Sequence, residues 1–404
     1  MAENIDKHIA AGKRMLEPDA GLPVYLLWIF AILAGISVAN IYYIQPLLNM
    51  VKSELVLNDF QASLISLANQ GGYAIGLFLI IPLGDLLQRK RVILVNIVIL
   101  MVALVSVALS HNVVIIIIAS LAAGACSVTP QLLIPIASQF SKPADKGKNM
   151  GIVLTGLLVG IIGARVISGT FGQFLGWRSI YFIAAALMLA SGVTVLAAVP
   201  RIASNDFRGG YIALMRSVLS LPRKYPRLML YATRYALCFA SLLAMWTTLT
   251  FKMGLPPFNA PAGIIGLLGI CGIAGALTAS FIGKYTERLG SRRFNLIGCG
   301  AGLLAWICFF VGQDSYVGII AGIIIIDVGM QFISLGNQTS VFALEPKSSN
   351  RLNTVYMTTG FVGGALGTFL SGAAWHLFAW PGVCATGAVL VLCSLAITLA
   401  ARRF

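Results

Sequence analysis

The sequence predicts an all-α membrane protein whose twelve transmembrane helices form two pseudo-symmetric six-helix bundles. Three observations carry that expectation. Of 404 residues, 58% are hydrophobic and 10% charged, against about 25% charged in a soluble domain, and mean hydropathy is +0.91. Uncharged runs recur from Val24 to the C-terminus, so lipid is the solvent that suits this chain. The basic residues gather in short segments between alternate runs, as they do where loops stay on one side of a membrane.

A span needs about 20 apolar residues. Breaks at charges, Gly and Pro place spans at 24–48, 60–83, 91–110, 113–138, 150–172, 177–199, 228–250, 262–283, 294–312, 315–339, 352–376 and 381–400. Each must satisfy its own backbone in lipid, and the alternation of a barrel strand is absent, so each is helical. Pro130 and Pro135 are expected to kink the fourth span and free carbonyls there.

Threading the chain with its N-terminus inside puts 23 of the 28 Lys and Arg on the inner side. Lys52, Arg178 and Lys252 fall outside, and Arg165 and Arg234 lie within spans. That asymmetry predicts a multi-pass inner-membrane protein with both termini cytoplasmic. Four parts follow: a tail at 1–23, a six-helix bundle at 24–200, a central loop at 201–227 with an amphipathic stretch near Tyr211–Leu221, and a second bundle at 228–404. A shift of 202 residues lays Asp85–Arg91 on Glu287–Arg293. A shift of 203 lays Gly160, Ser168, Gly169 and Trp177 on Gly363, Ser371, Gly372 and Trp380, the pattern of parallel six-helix repeats.

Several classes are excluded. A net charge of +15 that is confined to inner loops reads as topology rather than as a nucleic-acid face. The seven cysteines lie in apolar segments without paired spacing or nearby histidines, so neither a disulfide framework nor a metal site is expected. His8, His111 and His376 are scattered, and no nucleotide fingerprint occurs; no enzyme activity and no cofactor are expected. The energy must then come from a gradient or another subunit.

The loop after the second span, with Asp85, Arg89, Lys90 and Arg91, and its copy Glu287, Gly290, Arg292 and Arg293 resemble the signature loops of the major facilitator superfamily. Asn40-Ile-Tyr-Tyr-Ile-Gln-Pro46, Pro130-Gln-Leu-Leu-Ile-Pro135, Gly176-Trp-Arg178 and Asn353-Thr-Val-Tyr356 are similar to a bacterial branch of efflux permeases, related to drug/proton antiporters. Gln88 replaces one signature glycine, and Ser120 stands where many drug antiporters carry an arginine. The resemblance implies the major facilitator fold, alternating access, export of a small molecule by proton antiport, and a chain that works as a monomer. Proton-linked or facilitated uptake is the alternative.

Charge inside a membrane costs about 2.5 to 3.5 kcal/mol, so a deep ionisable group needs a partner, water or a task. Asp327 is the one acidic residue deep in a span, and it is the expected proton-coupling site. Burial favours its neutral form and a nearby arginine favours its carboxylate; that competition lets an acid exchange a proton for cargo. The structural alternative is an ion pair or an interhelical hydrogen bond. Arg165 in the fifth span is expected either to bind substrate or to hold Asp327 charged, whereas Arg234, near a span end, is expected to snorkel. Asn40, Tyr43, Gln70, Gln131, Trp246 and Gln331 are further candidates for lining a substrate path, with interhelical glue as their alternative role. Gln331 lies one turn from Asp327. Asp85, Arg89, Lys90, Glu287 and Arg292 are expected to gate the inner side, with topological anchoring as the alternative.

Overall fold

The fold was analysed in a computed structural model, which describes residues 16, 19, 21–200, 209–345 and 349–401, without the side chains of Ser280, Lys284, Glu287, Ser349 and Asn350. The described residues are helical with connecting turns and contain no strand. The helices are α1 Val24–Tyr42, α2 Ile44–Glu54, α3 Asp59–Leu79, α4 Leu83–Leu86, α5 Arg89–Leu109, α6 Val113–Cys126, α7 Thr129–Gln139, α8 Lys146–Leu175, α9 Trp177–Ala198, α10 Tyr211–Lys224, α11 Pro226–Met253, α12 Ala262–Leu267, α13 Gly272–Ile282, α14 Thr286–Val311, α15 Tyr316–Leu344 and α16 Ser349–Ala400.

Eleven helical segments are long and apolar enough to cross a membrane, and the last of them makes two crossings. α16 has 52 residues, about 78 Å at 1.5 Å per residue, against a hydrocarbon core of about 30 Å. Its backbone breaks at Ala379, where φ is 50°, a left-handed value costly for a residue with a Cβ. Arg351 bonds to α10 through Ser217, Trp380 donates to Phe309 O, and Ser394 donates to Arg234 O. The chain therefore crosses, turns at Ala379 and returns.

Hydrogen bonds fix the two ends of the molecule. At one end, which we term the basic end, Gly21 N–H donates to Phe140 O, Lys90 to Leu196 O, Tyr211 to Leu79 O and Tyr225 to Glu345. At the opposite end Asn49 donates to Thr250 O, Arg178 to Glu54 and Gln173 accepts from Gly263 N–H.

Proline and glycine explain the departures from straight spans. The first span runs on to Glu54 with helical dihedrals through Tyr43, and Pro46 deprives it of one backbone donor. The fourth breaks between Cys126 and Thr129, just before Pro130, as expected where a ring denies the backbone a donor. The eighth is interrupted by a 3-10 turn at Leu268–Cys271 within a glycine-rich stretch, a tighter winding common at hinges.

Close packing repeats between the two halves. A Cβ on Gly35 of the first span would lie 2.6 Å from Gly156 O of the fifth, and one on Gly363 of the eleventh would lie 2.5 Å from Ala236 O of the seventh. Only hydrogen at these positions lets backbones approach so closely, the small-residue packing that lipid-embedded helices rely on. The halves meet chiefly through α3 against the first part of α16, and α8 against α12.

Candidate functional site

Arg165 points into the protein, and 6% of its surface is accessible. It sits on α8 where that helix meets the second half, and its Nε donates to Gln45 Oε1 at 2.8 Å. Its guanidinium carbon lies 4.0 Å from the centre of the Trp246 ring and 4.8 Å from that of Tyr42. A planar cation stacked on aromatic faces with one side-chain acceptor is well held without a carboxylate. Gln45 closes the cluster, because its backbone carbonyl accepts from Thr250 Oγ1 at 2.8 Å. One arginine thus joins the first, fifth and seventh spans.

Asp327 lies on α15, facing the eighth span. Its Oδ2 is fully enclosed and has no hydrogen-bond partner. A Cβ at Gly272 would lie 3.6 Å from that oxygen, and one at Gly275 would touch the Asp327 backbone. Gly269, one turn earlier, lies along the aliphatic stem of Arg165. The glycine face of the eighth span therefore runs past both charges. No ion pair within 4.0 Å joins Arg165 to Asp327 among the described residues, yet each lies in the other's Coulomb field.

The other expected lining residues divide. Trp246 joins Arg165. Gln331 is half-buried, one turn from Asp327. Gln131 donates to Tyr73 Oη at 3.4 Å and lines a small cavity near the basic end with Asp85, Arg89 and Arg351. Gln70 instead ties the halves together, since its Oε1 accepts from Thr368 Oγ1 at 2.7 Å. Asn40 is turned into the first bundle, donating to Ile36 O and Ser37 O and to Met188 Sδ. Tyr43 borders an apolar cleft between the first and fifth spans, because successive helical residues point about 100° apart; Tyr42 is the tyrosine that meets Arg165. Tyr42 was missed because one residue of helix phase decides which ring faces inward.

The residues of the signature loop are held by bonds to neighbouring helices. Arg89 is buried and donates to Gly84 O and to Gln139 Oε1 at 2.8 Å, with Asp85 3.8 Å away. Lys90 donates to the last carbonyls of α9, Leu196 O and Val199 O, capping that helix. The bonds described for both basic residues lie within the first bundle. Arg292 is exposed, and the side chain of Glu287 lies outside the described residues. Arg234 does not snorkel: it is 2% accessible, packed inside the second bundle beside the twelfth span.

The contact between halves at the opposite end was not legible. Asp59 accepts from Lys52 at 2.6 Å and from the Trp375 indole at 3.2 Å, and Thr250 and Asn49 bond across the same level. These bonds join the halves at that end, beside a cleft of about 720 Å³ that Asn49, Lys52, Asp59 and Trp375 help to line. Towards the basic end, the Tyr73 and Phe361 rings meet across the seam, tilted by 46° with centroids 4.3 Å apart, and α10 covers the small cavity with Leu214 and Val218.

Comparison with known proteins places this geometry. A family model, the Major Facilitator Superfamily, matches residues 27–368. An uncharacterized transporter YgaY of Escherichia coli O157:H7 is 33% identical over 381 residues, 94% of this chain and 96% of that protein. A probable transporter of Streptomyces coelicolor is 28% identical, over 93% of this chain and 87% of its own. Among solved structures, the nucleoside transporter NupG superposes with a TM-score of 0.73 at 17% identity, covering 93% of this chain and 98% of its own. A bacterial homolog to the human lysosomal transporter Spinster, in an inward-facing and unoccupied conformation, gives 0.66 at 15% identity, over 93% and 94%.

Proposed function

Because the chain belongs to the Major Facilitator Superfamily and is a multi-pass membrane transporter, we propose that it exports a small molecule by alternating access, exchanging it for protons at Asp327. The basic end faces the cytoplasm in this reading, as the distribution of Lys and Arg favours. Residues 24–200 and 228–404 rock against each other as two bundles.

The observation that carries the proposal is the enclosed Asp327 Oδ2 with no hydrogen-bond partner, near an arginine whose guanidinium is already held by Gln45, Tyr42 and Trp246. An enclosed carboxylate oxygen without a donor at membrane depth is costly, whereas a proton or a cargo group that donates a hydrogen bond relieves it. Proton and cargo then compete for one oxygen, and competition for a single site is what antiport requires. Arg165 sets a positive charge along the same glycine face of the eighth span that meets Asp327. Trp246, Gln331 and Gln131 supply aromatic and amide surface for the cargo, and Asp85 takes part in closing the basic end.

Proton-linked uptake is the second reading, favoured by the likeness to a nucleoside transporter. Vesicles that carry the purified chain under an imposed pH gradient, screened against dyes and small metabolites, separate the two. Accumulation against the gradient's proton flow supports export, and accumulation with it supports uptake.

A further inference from the structure

We infer that the groove where the seventh, tenth and twelfth spans end on the basic side binds an anionic phospholipid of the adjoining leaflet. The groove has a volume of about 710 Å³. Leu230 of α11, Leu344 of α15 and Ile397 and Ala400 of α16 form its walls, and Lys224 and Arg227 stand at its mouth. Three spans reach their ends here, so the mouth lies level with the bilayer surface and the walls lie level with the acyl chains. An apolar slot under two cations matches a ligand with a hydrocarbon tail and a negative head.

The local chemistry selects among occupants. Free phosphate would meet the cations and leave the walls wet, and a neutral lipid would fill the walls and leave the cations unmatched. Lys224 Nζ is held 4.9 Å over the Tyr225 ring, and the Tyr225 hydroxyl donates to Glu345 at 3.0 Å. Glu345 offsets part of the positive charge, and the two cations still exceed it. A second feature points the same way. The inner face of α10 is buried through Leu214, Val218 and Leu221, while Ile212, Arg216, Leu219 and Arg223 share its exposed outer face at successive spacings of four, three and four. That alternation of apolar and cationic groups suits a helix lying on an anionic membrane surface.

Because α10 bonds to Leu79 of the first half and to Arg351 of the second, lipid held beside it bears on the relation between the halves. The test is native mass spectrometry of the purified full chain, offered equimolar phosphatidylglycerol and phosphatidylcholine. Each basic group near an anionic leaflet contributes about a five-fold preference, so two contribute up to about 25-fold. The wild-type chain is expected to retain phosphatidylglycerol in preference to phosphatidylcholine, with the preference falling as salt rises. K224Q/R227Q is expected to lose most of that preference at an unchanged thermal midpoint. Equal retention of the two lipids by the wild-type chain overturns the inference without recourse to any variant. So does an undiminished preference in folded K224Q/R227Q, or displacement of phosphatidylglycerol by millimolar inorganic phosphate, which would make the site one for a free ion.

Discussion

Substituting Gly169 by alanine should part the halves at the end opposite the basic one, where the fifth and eighth spans pack closely. Gly169 lies on α8 against the eighth span, and its new Cβ would stand 2.5 Å from Ala262 O and 2.9 Å from Gly266 Cα. Carbon–oxygen contacts relax at about 3.3 Å, so the fifth and eighth spans must part by roughly 0.8 Å. Overpacking of this kind costs about 1 to 3 kcal/mol. The cost falls on the closely packed form alone, because in alternating access these helices separate when that end opens. A bias of 1 to 3 kcal/mol corresponds to about a 5- to 150-fold shift in the equilibrium. Thr250→Cys provides a reporter, since Thr250 is 1% accessible and bonded across the seam to Gln45 O. Labelling with a membrane-impermeant maleimide should accelerate at least five-fold in Gly169→Ala. Gly151→Ala is the control, since nothing lies within 4 Å of a Cβ there. Equal labelling rates in the two variants would refute the reasoning.

Two further outcomes follow from single side chains. Lys90→Met removes both bonds to the end of α9 and should lower stability by about 1 kcal/mol, read as a drop of a few degrees in the thermal midpoint with transport per folded molecule retained. Arg165→Lys keeps the charge but loses the planar stacking on Trp246 and Tyr42 and the fixed geometry at Gln45. Vesicle transport should fall at least ten-fold while the thermal midpoint stays within a few degrees, because a compact ammonium does not reproduce a stacked guanidinium; transport at the wild-type rate would remove Arg165 from the mechanism.

The helical, membrane-spanning character of the fold was legible because a bilayer imposes a coarse rule on composition: each crossing needs a long apolar run, and the runs are there. The break in the fourth span was legible from Pro130. The turn at Ala379 falls in the gap expected between the spans at 352–376 and 381–400, just ahead of Pro381; only its left-handed backbone on an alanine was not legible. Arg165 and Asp327 stood out because ionisable groups are rare at depth. Their surroundings did not, since Gln45 and Arg165 are 120 positions apart and the choice between Tyr42 and Tyr43 turns on one residue of helix phase. Arg89, Lys90 and Arg234 look alike in sequence as basic groups near span ends. Tertiary structure gives them separate work, joining Arg89 to Gln139, capping α9 with Lys90 and burying Arg234.

Proton exchange at Asp327 is tested most directly by comparing the wild-type chain with Asp327→Asn in vesicles under an imposed pH gradient, using a panel of dyes and metabolites. The wild-type chain should move at least one compound against its concentration gradient. Asp327→Asn should lose that dependence on pH and keep passive exchange, since the amide fills the same space without releasing a proton. Gradient-driven movement at the wild-type rate in Asp327→Asn would contradict the account.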